Sequence, residues 1–172
     1  MHKPTPVPLA LEKPASPDEL SLVNAGPIPN ELLHLWTLLT QSEKWSSLVV
    51  VPAQPGASGL AAGRAIVSVG NQYRERPIRL INAEGLRPGA ASRLVRDIRA
   101  YAEQGGMIVT CIDSIITNPV GLEVALAAER ALLCVPLGST EFSLARLTLE
   151  RVGKTRFLGS VCTRLAAPEK VY

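Results

Sequence analysis

The stretch Leu48-Val-Val-Val-Pro-Ala-Gln-Pro-Gly-Ala-Ser-Gly-Leu60 decides the fold. Its first residues continue the apolar run Ser47–Pro52, rich in β-branched side chains, which reads as a strand buried on both faces. The prolines and glycines beyond it end the strand, and a helix is expected over about 59–71. Strand, glycine-containing loop and helix form the setting in which backbone N–H groups and a helix N-terminus hold phosphate. A working phosphate loop also needs a lysine against the phosphates and a Ser or Thr hydroxyl on magnesium. Here Gly59 stands at the lysine position and Leu60 at the hydroxyl position. Pro55, Gly56, Ser58, Gly59 and Leu60 therefore read as a degenerate nucleotide loop. No lysine occurs between Lys44, which precedes the strand, and Lys154; Arg64 falls more than a turn into the helix.

Downstream the alternation repeats. Ile78–Asn82, Met107–Ile112, Ala131–Val135 and Phe157–Cys162 read as further strands. Between the first two of these, residues 89–104 form a helix with Leu94, Val95, Ile98 and Tyr101 on one stripe. Asn118 and Pro119 suit a helix start as cap and first-turn residue, and Ser139 or Thr140 suits the cap of the next helix. Strands joined through helices predict an α/β fold, a doubly wound, mostly parallel sheet of about five or more strands. In such sheets ligands sit outside the carboxyl ends of the strands. There the chain carries Asn82 and Glu84 after the second strand and Asp113 after the third. Asp113 has two readings, a magnesium or water-orienting acid and an acid that caps a loop.

Upstream, Glu31-Leu-Leu-His-Leu-Trp-Thr-Leu-Leu39 carries more apolar residues than a surface helix needs. Core packing is the favoured reading, and an interface made by Leu32, Leu35, Trp36 and Leu39 is the alternative. Residues 1–27, with Pro4, Pro6, Pro8, Pro14 and Pro17, are expected to form a flexible Pro-rich arm, 28–165 the domain and 166–172 a tail.

Composition narrows the function. With 47% hydrophobic, 19% charged and only 4% aromatic residues, the core must be aliphatic, as under a helix-covered parallel sheet. The net charge of +3 comes from arginines spread from Arg64 to Arg164, so no nucleic acid is expected as a partner. Cys111, Cys134 and Cys162 each lie in an apolar run and read as buried small hydrophobes of a reducing compartment. No Cys/His spacing suggests a metal, neither His2 nor His34 has a catalytic setting, and no GxSxG elbow occurs. No apolar stretch reaches about 18 residues, and no signal-peptide pattern is seen, so a cytoplasmic protein is expected.

Taken together, five stretches resemble a known family across about residues 30–164. These are the helix Glu31–Leu39, the strand and loop Val49–Gly59, Arg79-Leu-Ile-Asn-Ala-Glu-Gly-Leu-Arg-Pro88, and Ile112-Asp-Ser with Leu132–Thr140. In this order they resemble the cytoplasmic tyrosine autokinase domains (BY-kinases) of bacterial capsule and exopolysaccharide synthesis, relatives of the MinD/ParA ATPases. The resemblance implies a P-loop NTPase-like fold, with Ile112-Asp-Ser as the Walker B strand end. Against that pattern, Asn82 and Glu84 replace the two aspartates of the second acidic motif, and His34 and Thr37 replace arginines of the family's oligomerisation helix. Tyr172 alone is left of its tyrosine-rich tail. The resemblance and these departures from it imply a non-catalytic pseudo-ATPase or pseudo-kinase with no catalytic residue, cofactor or metal. Such a chain would regulate or scaffold exopolysaccharide synthesis and export. The implied partner is the cytoplasmic part of a membrane polysaccharide copolymerase, which would bring the chain to the inner membrane; a homo-oligomer is also in scope. The alternatives are a divergent active ATPase or tyrosine kinase using Asp113, and a MinD/ParA-like spatial or nucleic-acid-associated adaptor.

Overall fold

The computed structural model describes residues 28–41 and 43–164; the Pro-rich arm and the C-terminal tail lie outside the described residues. The element order is α1 (Asn30–Gln41), β1 (Ser47–Pro52), α2 (Leu60–Tyr73), β2 (Arg79–Ala83), α3 (Pro88–Glu103), β3 (Ile108–Ile112), α4 (Gly121–Ala127), β4 (Arg130–Pro136), α5 (Phe142–Val152), a 3₁₀ turn (Lys154–Arg156) and β5 (Phe157–Thr163). The strands form one five-stranded sheet in the order β2-β3-β1-β4-β5, and all four pairings are parallel.

The expected α/β doubly wound architecture is thus present. The connection from β1 to β2 runs one way along the sheet, and the next three run back the other way. Right-handed crossovers then demand that α2 lie on one face and α3, α4 and α5 on the other. The two cores follow that division. Leu48, Val50, Val109, Cys111, Leu132 and Cys134 pack with Ile66 and Val69 of α2 and Trp36 and Leu39 of α1. Val49, Val51, Ile108 and Ile112 pack with Val95, Ile98, Val124 and Val152. Consecutive residues of β1 face opposite cores, and all six are buried, which is why the strand tolerates no polar alternation.

Helix α1 turns its stripe inward. Trp36 and Leu39 are buried, Leu32 and Leu35 pack half-buried against the same core, and His34 is exposed. The indole of Trp45 meets Trp36 edge-on at 6.5 Å and donates to the Leu39 carbonyl at 2.7 Å, pinning the end of α1 to the sheet. Two glycines of α2 set its depth. A Cβ at Gly63 would stand 2.3 Å from Cys111 Sγ, and one at Gly70 would stand 2.3 Å from Ile78 and 2.6 Å from Trp36. Only bare backbone lets α2 sit this close to β3 and α1.

Three local expectations are corrected. Helix α4 starts at Gly121 rather than at Asn118, because Asn118 and Pro119 first build a tighter turn. In it the N–H groups of Gly121 and Leu122 bond to the carbonyls of Asn118 and Pro119, and the Asn118 side-chain oxygen accepts from Val120 N. Neither Ser139 nor Thr140 caps α5; the cap is Glu141, without a side-chain bond. Gly138, at φ +83°, reverses the chain so sharply that the Thr140 hydroxyl donates back to the Pro136 carbonyl at 2.8 Å. Cys162 is exposed rather than buried, because β5 is an edge strand with sparse cover.

Candidate functional site

The carboxyl edge gathers the loops that the sequence singles out. The loop after β1 heads to the α2 face, while those after β2, β3 and β4 head to the opposite face, so the chain diverges around β1. This is the place where doubly wound sheets hold ligands. The loop leaves β1 with Ala53 N donating to the Cys134 carbonyl at 2.9 Å. It then turns at Gly56, whose φ of +77° suits glycine and little else.

After the turn the loop folds down onto the sheet. Gly59 is buried, and a Cβ there would stand 2.8 Å from Val50 Cγ1. The Cys111 thiol lies 3.7 Å from the Gly59 carbonyl and the Cys134 thiol 4.0 Å from that of Ser58. Burial pushes the Cys111 thiol up to about 12, with the nearby Glu84 carboxylate adding to the rise. Burial also raises the Cys134 thiol. Both stay protonated near neutral pH and act as apolar floor with a weak donor, not as nucleophiles.

The first N–H group of α2 is capped from within. Gly59 is its cap residue, in helical conformation and without a side-chain bond. Ser58 supplies the missing acceptor, its Oγ taking the Leu60 N–H at 3.1 Å. The same hydroxyl donates to Glu84 Oε1. A carboxylate thus reaches the positive end of the helix through one serine, at the place where a phosphate would bind. Glu84 is held in turn by Asn82, whose side-chain oxygen accepts from Glu84 N at 3.1 Å.

Asp113 belongs to the neighbouring loop. Its Oδ2 accepts from Gly85 N at 2.6 Å and from Asn118 Nδ2 at 3.0 Å. Asn118 Nδ2 also donates to the Leu86 carbonyl at 3.2 Å. Gly85, at φ +72°, is the turn that Asp113 ties down. Asp113 is therefore a loop-capping acid that binds the ends of β2 and β3 together.

The structure brings Ser58, Gly59, Leu60, Asn82 and Glu84 into one cluster, and it sets Asp113 beside them through Gly85. Pro55 and Gly56 lie on the outer turn of the loop. The apolar set Leu32, Leu35, Trp36 and Leu39 belongs to α1 and takes no part. Two further residues of this edge carry no such signal in the sequence. Asn118 reads there only as a helix cap, yet its bond to Asp113 spans a loop. Gln54 accepts from Glu141 N at 3.4 Å and so links the loop to the start of α5. Neither contact leaves a local pattern in the chain. Among the described residues, no group of three or more His, Cys, Asp or Glu side chains comes together that could hold a metal ion. No helix among them is long and apolar enough to cross a membrane. Compared with known proteins, the chain matches no family model and no curated protein.

Proposed function

We propose that this chain is a non-catalytic pseudo-ATPase, a regulatory or scaffolding component of bacterial exopolysaccharide synthesis and export. One observation carries the loss of nucleotide chemistry: Ser58 and Glu84 cap the N-terminus of α2 where phosphate would bind. Gly59, packed against Val50, stands where the phosphate lysine would be. A bound nucleotide would have to displace a carboxylate from the helix end and would gain no lysine in exchange. Charge-assisted hydrogen bonds are worth roughly 1.5–3 kcal/mol each, so the lost grip lowers affinity by about ten- to a hundredfold per bond. The pathway rests on the resemblance of the loop order to the BY-kinase family, and fold alone does not carry it.

On this reading the chain works by presenting one fixed shape to a partner, the cytoplasmic part of a membrane polysaccharide copolymerase. Pro52 and Pro55 stiffen the loop, Ser58 ties it to Glu84 of the loop after β2, and Asp113 ties that second loop down at Gly85. An active relative would change partner affinity with nucleotide state; this chain holds one state. Isothermal titration calorimetry with ATP and ADP, with and without magnesium, tests the reading. The expected result is no binding heat up to millimolar nucleotide. Micromolar, magnesium-dependent binding would overturn it.

A further inference from the structure

At the amino end of β2, far along the strands from the sealed loops, the chain gathers positive charge that it does not neutralise. The guanidinium of Arg79, the first residue of β2, stacks 4.0 Å from the centre of the Tyr101 ring, and that of Arg76 lies 5.1 Å from the same centre. Arg74, two residues before Arg76, is exposed as well, and Tyr73 beside it is 62% exposed. The ion pairs among the described residues are Arg130–Glu43 and Arg146–Glu150, so none involves these three arginines. Glu75 sits among them in sequence and pairs with none of them.

The cluster is rigid. Tyr101 occupies the last turn of α3, and a Cβ at Gly106 would come within 2.2 Å of its ring. Arg76 also donates to the Gln104 carbonyl. The backbone turn into β3 thus fixes the ring, and the ring holds two like charges. No carboxylate of the described residues pairs with either guanidinium, and both residues are exposed.

We propose that Tyr73, Arg74, Arg76 and Arg79 form a contact surface for an anionic phospholipid bilayer. The patch lines neither the hollow by Ile98, Arg99 and Glu129 nor the one along Asn30, His34 and Leu35. An exposed tyrosine next to arginines is the pairing that suits the headgroup level of a membrane, with the ring among headgroups and the charges on their phosphates. The contact does not depend on the fate of the nucleotide loop, which lies at the other end of the sheet, and it stands whether or not that loop binds ATP.

Co-sedimentation of the full chain with phosphatidylglycerol vesicles at low salt tests the proposal. The chain binds these vesicles, fails to bind phosphatidylcholine vesicles, and is released by raised salt. Each of Arg74→Gln, Arg76→Gln and Arg79→Gln lowers the partition about fivefold, and the triple variant abolishes it. Tyr73→Ser also lowers the partition, and circular dichroism stays unchanged throughout. A second triple variant, Arg93→Gln with Arg151→Gln and Arg164→Gln, removes the same charge elsewhere and keeps binding. Equal losses in the two triple variants, or no binding by the parent chain, overturn the proposal. Tighter binding of a fluorescent single-stranded oligonucleotide through the same arginines would overturn it in favour of nucleic acid.

Discussion

At the carboxyl edge of the sheet, Glu84 and Asp113 each meet donors supplied by the chain itself, whereas at the amino end of β2 the guanidiniums of Arg76 and Arg79 share one ring and no carboxylate. Both regions are built around charged groups at the ends of the same strands. The first is closed: its helix end is capped by a hydroxyl, its turn glycine is tied to an acid, and its floor is two protonated thiols. The second is left open. Residues whose polar groups are matched internally contribute to stability, and residues left unmatched contribute little to it and remain available to a ligand. The difference predicts that substitutions at the carboxyl edge will be felt in folding and those at the β2 flank in binding.

The largest effect belongs to the packing beneath the closed loop. Gly63→Ala forces a methyl group onto Cys111 Sγ and towards Leu80 Cδ1, 3.2 Å away, so α2 must lift from β3 and carry the Ser58–Glu84 contact with it. The expected loss is about 3 kcal/mol in urea unfolding. Gly89→Ala provides the contrast, since nothing lies within 4 Å of its Cβ position in the first turn of α3, and it leaves the midpoint unchanged or slightly raised. A similar midpoint for both variants would mean that α2 does not sit on the sheet as closely as described. Next in size is Asp113→Ala, which strips the acceptor from Gly85 N and Asn118 Nδ2 together. It should cost about 2 kcal/mol. If Asp113 were held for a metal instead, removing it would relieve repulsion and the protein would gain stability.

How much of this can be read from the chain differs by region for a physical reason. The strands are legible because burial on both faces leaves runs such as Leu48–Val51 with no polar residue, and the observed bounds fall within a residue or two of those expected. Ile78, expected to open β2, is buried but precedes it, because its N–H bonds to the Asn71 side chain instead of the ladder. The strand order is not legible, since nothing in composition says that β3 inserts between β1 and β2. Cys162 shows the same limit: an apolar run looks alike in a central strand and an edge strand. In the site, the missing lysine and hydroxyl can be seen at Gly59 and Leu60, because a phosphate loop is contiguous. The bonds that close it, Ser58 to Glu84 and Asn118 to Asp113, join loops that come after different strands or span one loop. Only the parallel register and the turns beyond it bring them together. The arginines of the β2 flank look scattered for the same reason, and Arg76 and Arg79 meet Tyr101 only once α3 has packed.

The smallest expected effect probes the open region, and its smallness is the point. Arg76→Gln and Arg79→Gln each remove a cation from the Tyr101 ring, an interaction worth about 0.5–1 kcal/mol at an exposed site. Each also removes a like charge that shares that ring with the other guanidinium. The two terms oppose one another, so unfolding midpoints should move by no more than about 0.5 kcal/mol. Salt separates them, because screening weakens the repulsion between the exposed charges and barely touches packing on the ring. The parent chain should therefore gain on the Arg76→Gln variant as salt is raised. A loss near 2 kcal/mol in either variant, insensitive to salt, would be about twice what an exposed ring contact supplies. It would place these arginines among the groups that hold the fold, and the contrast between the two ends of the sheet would collapse.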